Sequence, residues 1–249
     1  WTSVFPVALQ GEAIDAISIQ EQEAVILGTE YTDTSSTDIV LFKINAAGQV
    51  MQEKHLTLPA EQRPKVLLPT ADGQLMVLGD ETDFPVPADF FLAKLDALTL
   101  DTLWFRQMLL PGAQNVHAAI NLPNGQVVVA GEHIPAGATS RDAFLAVIDP
   151  TGQLVWFRTY GGLRGDIFWD LQASADGNGF CIAGQTASFS LEGDLQAWLV
   201  RTDSLGQIWS NRVIGRVVRD SLQNCVVDST ETPLSSWLVT ASGPFGSLY

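Results

Sequence analysis

Apolar residues in this chain fall in short runs of strand length, with polar breaks between them and no helix-length 3.6-residue spacing. Four such runs follow one another in "NVHAAINL" (115–122), "GQVVVAGE" (125–132), "DAFLAVID" (142–149) and "QLVWFRTY" (153–160). They are rich in β-branched and aromatic residues and predict four successive strands, a to d. The breaks have a mechanism of their own. Asp72-Gly73, Asn124-Gly125 and Asp176-Gly177 are dipeptides that accept positive φ, and they predict tight a–b hairpins. "DPTGQ" at Asp149 and "DSLGQ" at Asp203 predict c–d turns in the same way.

The pattern recurs. Apolar runs that close on Gly28, Gly79, Gly131 and Gly184 are 51, 52 and 53 residues apart. A second register, Asp38, Asp89, Asp142 and then Gln196, steps by 51, 53 and 54. A third runs through Trp1, Met51, Trp104, Trp156 and Trp209, and a weaker fifth copy follows with Trp237–Ser242 in the place of "FCIAGQ". A four-stranded unit of this size cannot bury both faces alone, whereas units stacked face to face around an axis can. The expected fold is all-β, a β-propeller of five blades formed by one domain over 1–249. Its repeats run over 9–57, 58–110, 111–162, 163–215 and 216–249 plus 1–8. Residues 1–7 match strand d, so closure is expected through pairing of the N-terminal strand with the last blade, which stops short of most of strand c. The recurrent Trp is expected to be buried between blades.

Charge narrows the partners. With 13 Lys and Arg against 28 Asp and Glu, the formal charge of −15 argues against binding nucleic acid or an anionic membrane. No apolar run is long enough to span a bilayer, and "WTSVFPVALQ" has neither the basic nor the long apolar region of a leader. Cys181 and Cys225 lack motif spacing and read as two buried thiols. His55, His117 and His133 stand in unrelated contexts, which gives no zinc pattern, and neither a GxSxG elbow nor a phosphate-binding GxxxxGK[ST] is present. No catalytic residue, metal or cofactor is therefore assigned.

"DAFLAVIDPTGQLVWFRTYGGLRGD" followed by "DGNGFCIAGQT" resembles the tandem repeats of secreted or cell-envelope β-propeller proteins of bacteria, notably Bacteroidota-like ones. The likeness extends over nearly the whole chain and is strongest in the third and fourth copies. It implies a propeller in an extracellular or cell-envelope setting, and it implies no activity, because no catalytic motif travels with the repeat.

The Asp38, Asp89 and Asp142 register reads as structural, a short acid receiving backbone N–H groups before a strand. Candidate ligand-binding residues lie where the copies diverge. They are Glu30, Asp80, Glu81, Glu132 and His133 after strand b, and Arg164, Asp166 and Trp169 at the d–a connection. The function expected is a monomeric, non-enzymatic recognition or scaffolding module that binds a protein, peptide or carbohydrate on this loop face. The alternatives are a glycan-active hydrolase with channel carboxylates and a structural spacer of a larger surface protein.

Overall fold

The computed structural model of the chain describes residues 11–20, 22–31, 37–56, 61–82, 89–190, 193–208, 241–243 and 246–248. Residues 1–209 form one compact unit and 210–249 a second. Among the described residues there is no helix. The first unit contains four antiparallel sheets of consecutive strands. The first is β1 (Gly11–Gln20), β2 (Glu23–Tyr31), β3 (Thr37–Asn45) and β4 (Val50–Leu56), and the second is β5 (Glu61–Pro69), β6 (Leu75–Thr82), β7 (Asp89–Leu95) and β8 (Thr102–Met108). The third comprises β9 (Ala113–Asn121), β10 (Val127–Ile134), β11 (Asp142–Ile148) and β12 (Leu154–Tyr160), and the fourth β13 (Asp166–Ala173), β14 (Gly179–Thr186) and β15 (Gln196–Asp203). In the second unit β16 (Ala241–Gly243) pairs with β17 (Gly246–Leu248).

The turn chemistry acts as its residues dictate. Gly73, Gly125 and Gly177 adopt φ of 77°, 81° and 70°, and each donates its N–H to the carbonyl three residues back. The third strands of the first three sheets, β3, β7 and β11, are mostly apolar because both of their faces are covered. Ile39 and Leu41 of β3 meet Phe91, Ala93 and Leu95 of β7. The other face of β7, Phe90 and Leu92, meets Phe144, Ala146 and Ile148 of β11. In turn Ala143, Leu145 and Val147 pack with Phe168, Phe180 and Val200 of the fourth sheet. The core is thus laid down in layers between successive sheets. The position of Leu41, Leu92 and Leu145 is fully buried in three sheets, while its counterpart in the fourth, Leu199, is 84% exposed.

The first strands of neighbouring sheets lie together, β1 beside β5, β5 beside β9 and β9 beside β13. Each of these strands carries a bulge, at Ile14, Lys65, His117 and Trp169 in turn, opposite Gly28, Gly79, Gly131 and Gly184. The glycine register therefore has a packing cause. A Cβ on Gly28 would stand 2.7 Å from the Glu12 carbonyl oxygen, and one on Gly131 would overlap that of Asn115.

The tryptophans differ from expectation. Trp104 and Trp156 are only partly buried, because the fourth strands turn one face to solvent; Trp1, Trp209, Trp237 and Cys225 lie outside the described residues, and Cys181 is exposed. Each ring is covered by the c–d turn of the following sheet. A Cβ on Gly152 would lie 3.0 Å from Trp104 Cη2, and one on Gly206 would lie 2.8 Å from Trp156 Cη2. Arg158 Nε and Tyr160 Oη fasten the second contact by donating to the Leu205 and Gly206 carbonyls at 2.7 and 2.6 Å.

A pair of substitutions separates turn strain from ring contact. Gly73→Ala meets nothing within 4 Å, so only its φ of 77° is penalised, and it is expected to cost about 1–2 kcal/mol. Gly152→Ala should cost about 1–3 kcal/mol more, because Arg106 and the Trp104 ring must shift. In a Trp104→Ala background that excess should shrink in urea denaturation to the share of Arg106, whose Cγ lies 2.8 Å from the added Cβ; an undiminished excess would remove the ring from this account.

Candidate functional site

Pairing of the second strands continues past their glycines, to Tyr31, Thr82 and Ile134. Glu30, Asp80, Glu81, Glu132 and His133 consequently lie within strands and are buried, at 4, 4, 5, 6 and 8% exposure, instead of projecting from loops. Several are tied into their own sheets. Glu30 is hydrogen-bonded to His55 Nδ1, whose Nε2 meets Glu53 Oε1 at 2.7 Å. His133 Nδ1 is 3.2 Å from Gln114 Nε2, and its ring meets Phe157 edge-on. Asp166 is fully buried and receives the hydroxyls of Thr186 and Ser188 and, at 3.0 Å, the Gly162 N–H. Arg164 is exposed, with its N–H on Ser188 Oγ at 3.0 Å. Of the acid register, Asp38 pairs across the ladder with Glu30, Asp89 with Glu81 and Asp142 with His133.

Asp80, Glu132 and Trp169 instead come together around the bulges. The Val116 N–H donates to Asp80 Oδ1 at 2.6 Å, and Lys65 Nζ is 3.8 Å from Asp80 Oδ2. Glu132 accepts from Asn115 Nδ2 at 2.8 Å through Oε1 and from Arg141 Nη1 at 2.7 Å through Oε2. His117 joins this network to Trp169, with ring centroids 4.3 Å apart. Its Nε2 is buried and has no partner among the described residues. The indole of Trp169 is 48% exposed.

Burial sets the protonation here. It pushes the Asp80 carboxyl up to about 6, against the opposing pull of the Val116 N–H, Lys65 and Arg63, while Glu132 adds to the rise. Burial lowers the His117 pKa, although the nearby charge of Glu132 works the other way, so the imidazole is neutral near pH 7. Among the described residues no group of three or more His, Cys, Asp or Glu side chains could hold a metal ion. The oxygens of Asp80 and Glu132 face Val116, Lys65, Asn115 and Arg141 and are almost entirely buried. The arrangement is suited to holding a surface in shape.

Lys65, His117 and Arg141 did not stand out in the sequence as ligand contacts. A signal was present for the first two. Ile14, Lys65 and His117 each lie 14 residues before the strand-b glycine and Trp169 lies 15 before it, so one strand-a position changes from apolar to basic, imidazole and indole.

Stability should fall with rising pH in two windows. Asp80 is protonated more tightly in the folded chain, about 6 against 3.8. Its contribution is therefore complete below pH 3.8 and lost between about 4 and 6, a change of about 3 kcal/mol. For His55, burial alone would lower the pKa, but the hydrogen bonds to Glu53 and Glu30 outweigh it and raise it above 6.5, so that contribution is lost as pH rises through the raised value. Urea denaturation from pH 4 to 9 should show Asp80→Asn flattening the lower window, with a residue from Asp38, Asp89 and Asp142, whose pKa values burial also raises. His55→Gln should flatten the upper one. An unchanged lower slope in Asp80→Asn would contradict the assignment.

No protein-family model and no curated protein matches the chain. Among solved structures it is similar to a hypothetical protein from Leishmania major, at 13% identity and a TM-score of 0.45 over 76% of this chain and 68% of that one. It is also similar to a structure described as the eukaryotic initiation factor, at 13% identity and a TM-score of 0.38 over 79% of this chain and 42% of the other. Likeness at this level carries no argument about function.

Proposed function

We propose that the protein is a non-enzymatic recognition module, a β-propeller that binds its partner where the bulged first strands present side chains. The observation that carries this reading is Trp169, a half-exposed indole standing on His117, itself close to the buried carboxylate of Glu132, which accepts through both oxygens. Large aromatic surface left in water over a preorganised polar support is the usual anchor of a binding site. The hydrolase alternative is not favoured, since a catalytic acid must reach its substrate and Asp80 is 4% exposed. The propeller reading rests on the layered core and the neighbouring first strands of the four sheets, together with the fifth copy that the sequence spacing predicts over 216–249 plus 1–8. An extracellular or envelope location follows from the sequence resemblance alone.

Two measurements test this. Titration with a mixed library of sugars, short peptides and small acids should perturb NMR signals of Lys65, Asn115, His117 and Trp169. Perturbations confined to the opposite ends of the strands, near Gly73, Gly125 and Gly152, would overturn the site. Deletion of residues 1–7 should cause a large loss of cooperative stability and self-association through freed edges; unchanged melting as a monodisperse monomer would eliminate the five-bladed ring.

A further inference from the structure

Cations are scarce in this chain, 13 against 28 acids, and among the described residues nearly all are engaged. Seven are paired with a carboxylate, and Arg106 and Arg158 lie over the Trp104 and Trp156 rings at 5.6 and 5.9 Å from the centroids. Among the described residues Arg164 alone has neither kind of partner. Its place is nevertheless fixed. The Arg164 N–H donates to Ser188 Oγ at 3.0 Å, Ser188 Oγ donates to Asp166 at 2.6 Å, and the Ala187 N–H donates to the Gly165 carbonyl at 2.9 Å. The connection before β13 is thereby fastened to the one after β14. Arg164 Nη1 reaches the Ser190 carbonyl at 3.4 Å, and the guanidinium lies against Gly193, where a Cβ would stand 2.6 Å from Arg164 Cζ.

The side chains next to these contacts are apolar and turned to water. Leu163 precedes Arg164 and is 98% exposed, Phe189 stands between Ser188 and Ser190 and is 63% exposed, and Leu195, two residues past Gly193, is 63% exposed. Phe189 is supported from below, because its ring packs on Trp198 at 5.5 Å and Trp198 packs on buried Phe168 at 5.1 Å. Isolated apolar residues at a surface need no explanation, but three of them about one fixed guanidinium without an acid have the make-up of a docking surface.

Charge decides what fits. A guanidinium left without a carboxylate in so acidic a chain is complementary to an acid, and its apolar neighbours are complementary to apolar side chains beside that acid. A second copy would bring another −15 to the contact, and a long acidic tract would be repelled by the chain as a whole, whereas one carboxylate can be held locally. We propose that Arg164, Leu163, Phe189 and Leu195 dock a segment of another protein in which a single Asp or Glu stands between large apolar side chains. The carboxylate accepts from Nε and Nη2 of Arg164, which donate to nothing else among the described residues, and the flanking side chains cover Leu163 and Phe189. The inference extends the recognition reading to a second group of residues and does not require Trp169 to take part.

The test is titration of the whole chain with two acetylated, amidated tripeptides, Leu-Glu-Phe and its neutral counterpart Leu-Gln-Phe, followed through the NMR signals of Arg164 Nε–H and Trp198 Nε1–H. Arg164→Gln and Trp198→Phe assign the two signals. Leu-Glu-Phe should shift both saturably and bind about 10-fold more tightly than Leu-Gln-Phe, the value of one charge-assisted contact. Arg164→Gln should make the two peptides equal, Arg164→Lys should weaken Leu-Glu-Phe about 3- to 10-fold by removing the bidentate edge, and Phe189→Ser should weaken both peptides. Equal binding of the two peptides to the unaltered chain, or no shift of Arg164, would overturn the proposal. Acetate that shifts Arg164 at the same concentrations as Leu-Glu-Phe would overturn it in favour of a small acid, and a shift of Arg164 on dilution of the chain alone would overturn it in favour of a second copy. None of these outcomes touches the Trp169 site, which the library titration reads through Lys65, Asn115, His117 and Trp169.

Discussion

The close approach of the first two strands at Gly28, Gly79, Gly131 and Gly184 is the constraint on which the rest depends. A side chain there would collide with the facing carbonyl, so the chain keeps glycine and the neighbouring strand bulges by one residue. The bulge disturbs the ladder, and main-chain groups near it need new partners. Carboxylates of the preceding sheet supply them, Asp15 to the Leu67 N–H at 2.9 Å and Asp80 to the Val116 N–H at 2.6 Å. Sheet-to-sheet attachment and the aim of Lys65, His117 and Trp169 thus arise from one local distortion.

The same distortion explains why acidic groups are tolerated inside. A buried carboxylate with an N–H donor on one oxygen and a cation near the other recovers part of its lost hydration, and Asp80 recovers less than it loses, as its elevated pKa shows. Glu132 is better served, with an amide and a guanidinium in direct contact. Removal of either cation would leave a buried charge uncompensated, so the exposed Lys65 and Arg141 are bound to the interior in energy even while their heads lie in water.

Much of the strand order was legible from local chemistry: the turn glycines with positive φ, the apolar third strands and the shared spacing all act over a few residues. The reason for the strand-b glycine was not, because its clash partner lies about 16 residues away on another strand. Glu30, Asp80 and Glu132 look like loop residues since the apolar run stops before them, yet pairing with the strands on either side carries them inward. Trp104 and Trp156 were expected in the core because ring size suggests it, but the outer strand of each sheet has neighbours on one face only. Arg141 gave no signal, since the residue before the strand-c register is Thr37, Ala88 and Leu195 in the other copies and no repeated charge marks the position.

The contact between each outer-strand tryptophan and the next sheet's turn glycine has a consequence for how such a chain can change over time. Met51 stands where later copies carry Trp, and the turn that follows it contains Leu100, fully buried at a φ of 56°, where the others have glycine. Gly152 follows Trp104, and Gly206 follows Trp156. Ring and turn are matched across the boundary between copies, so a duplicated or transplanted copy arrives with a turn suited to its former neighbour. The heritable unit that keeps these contacts intact is offset from the structural sheet: it begins within one fourth strand and ends before the next.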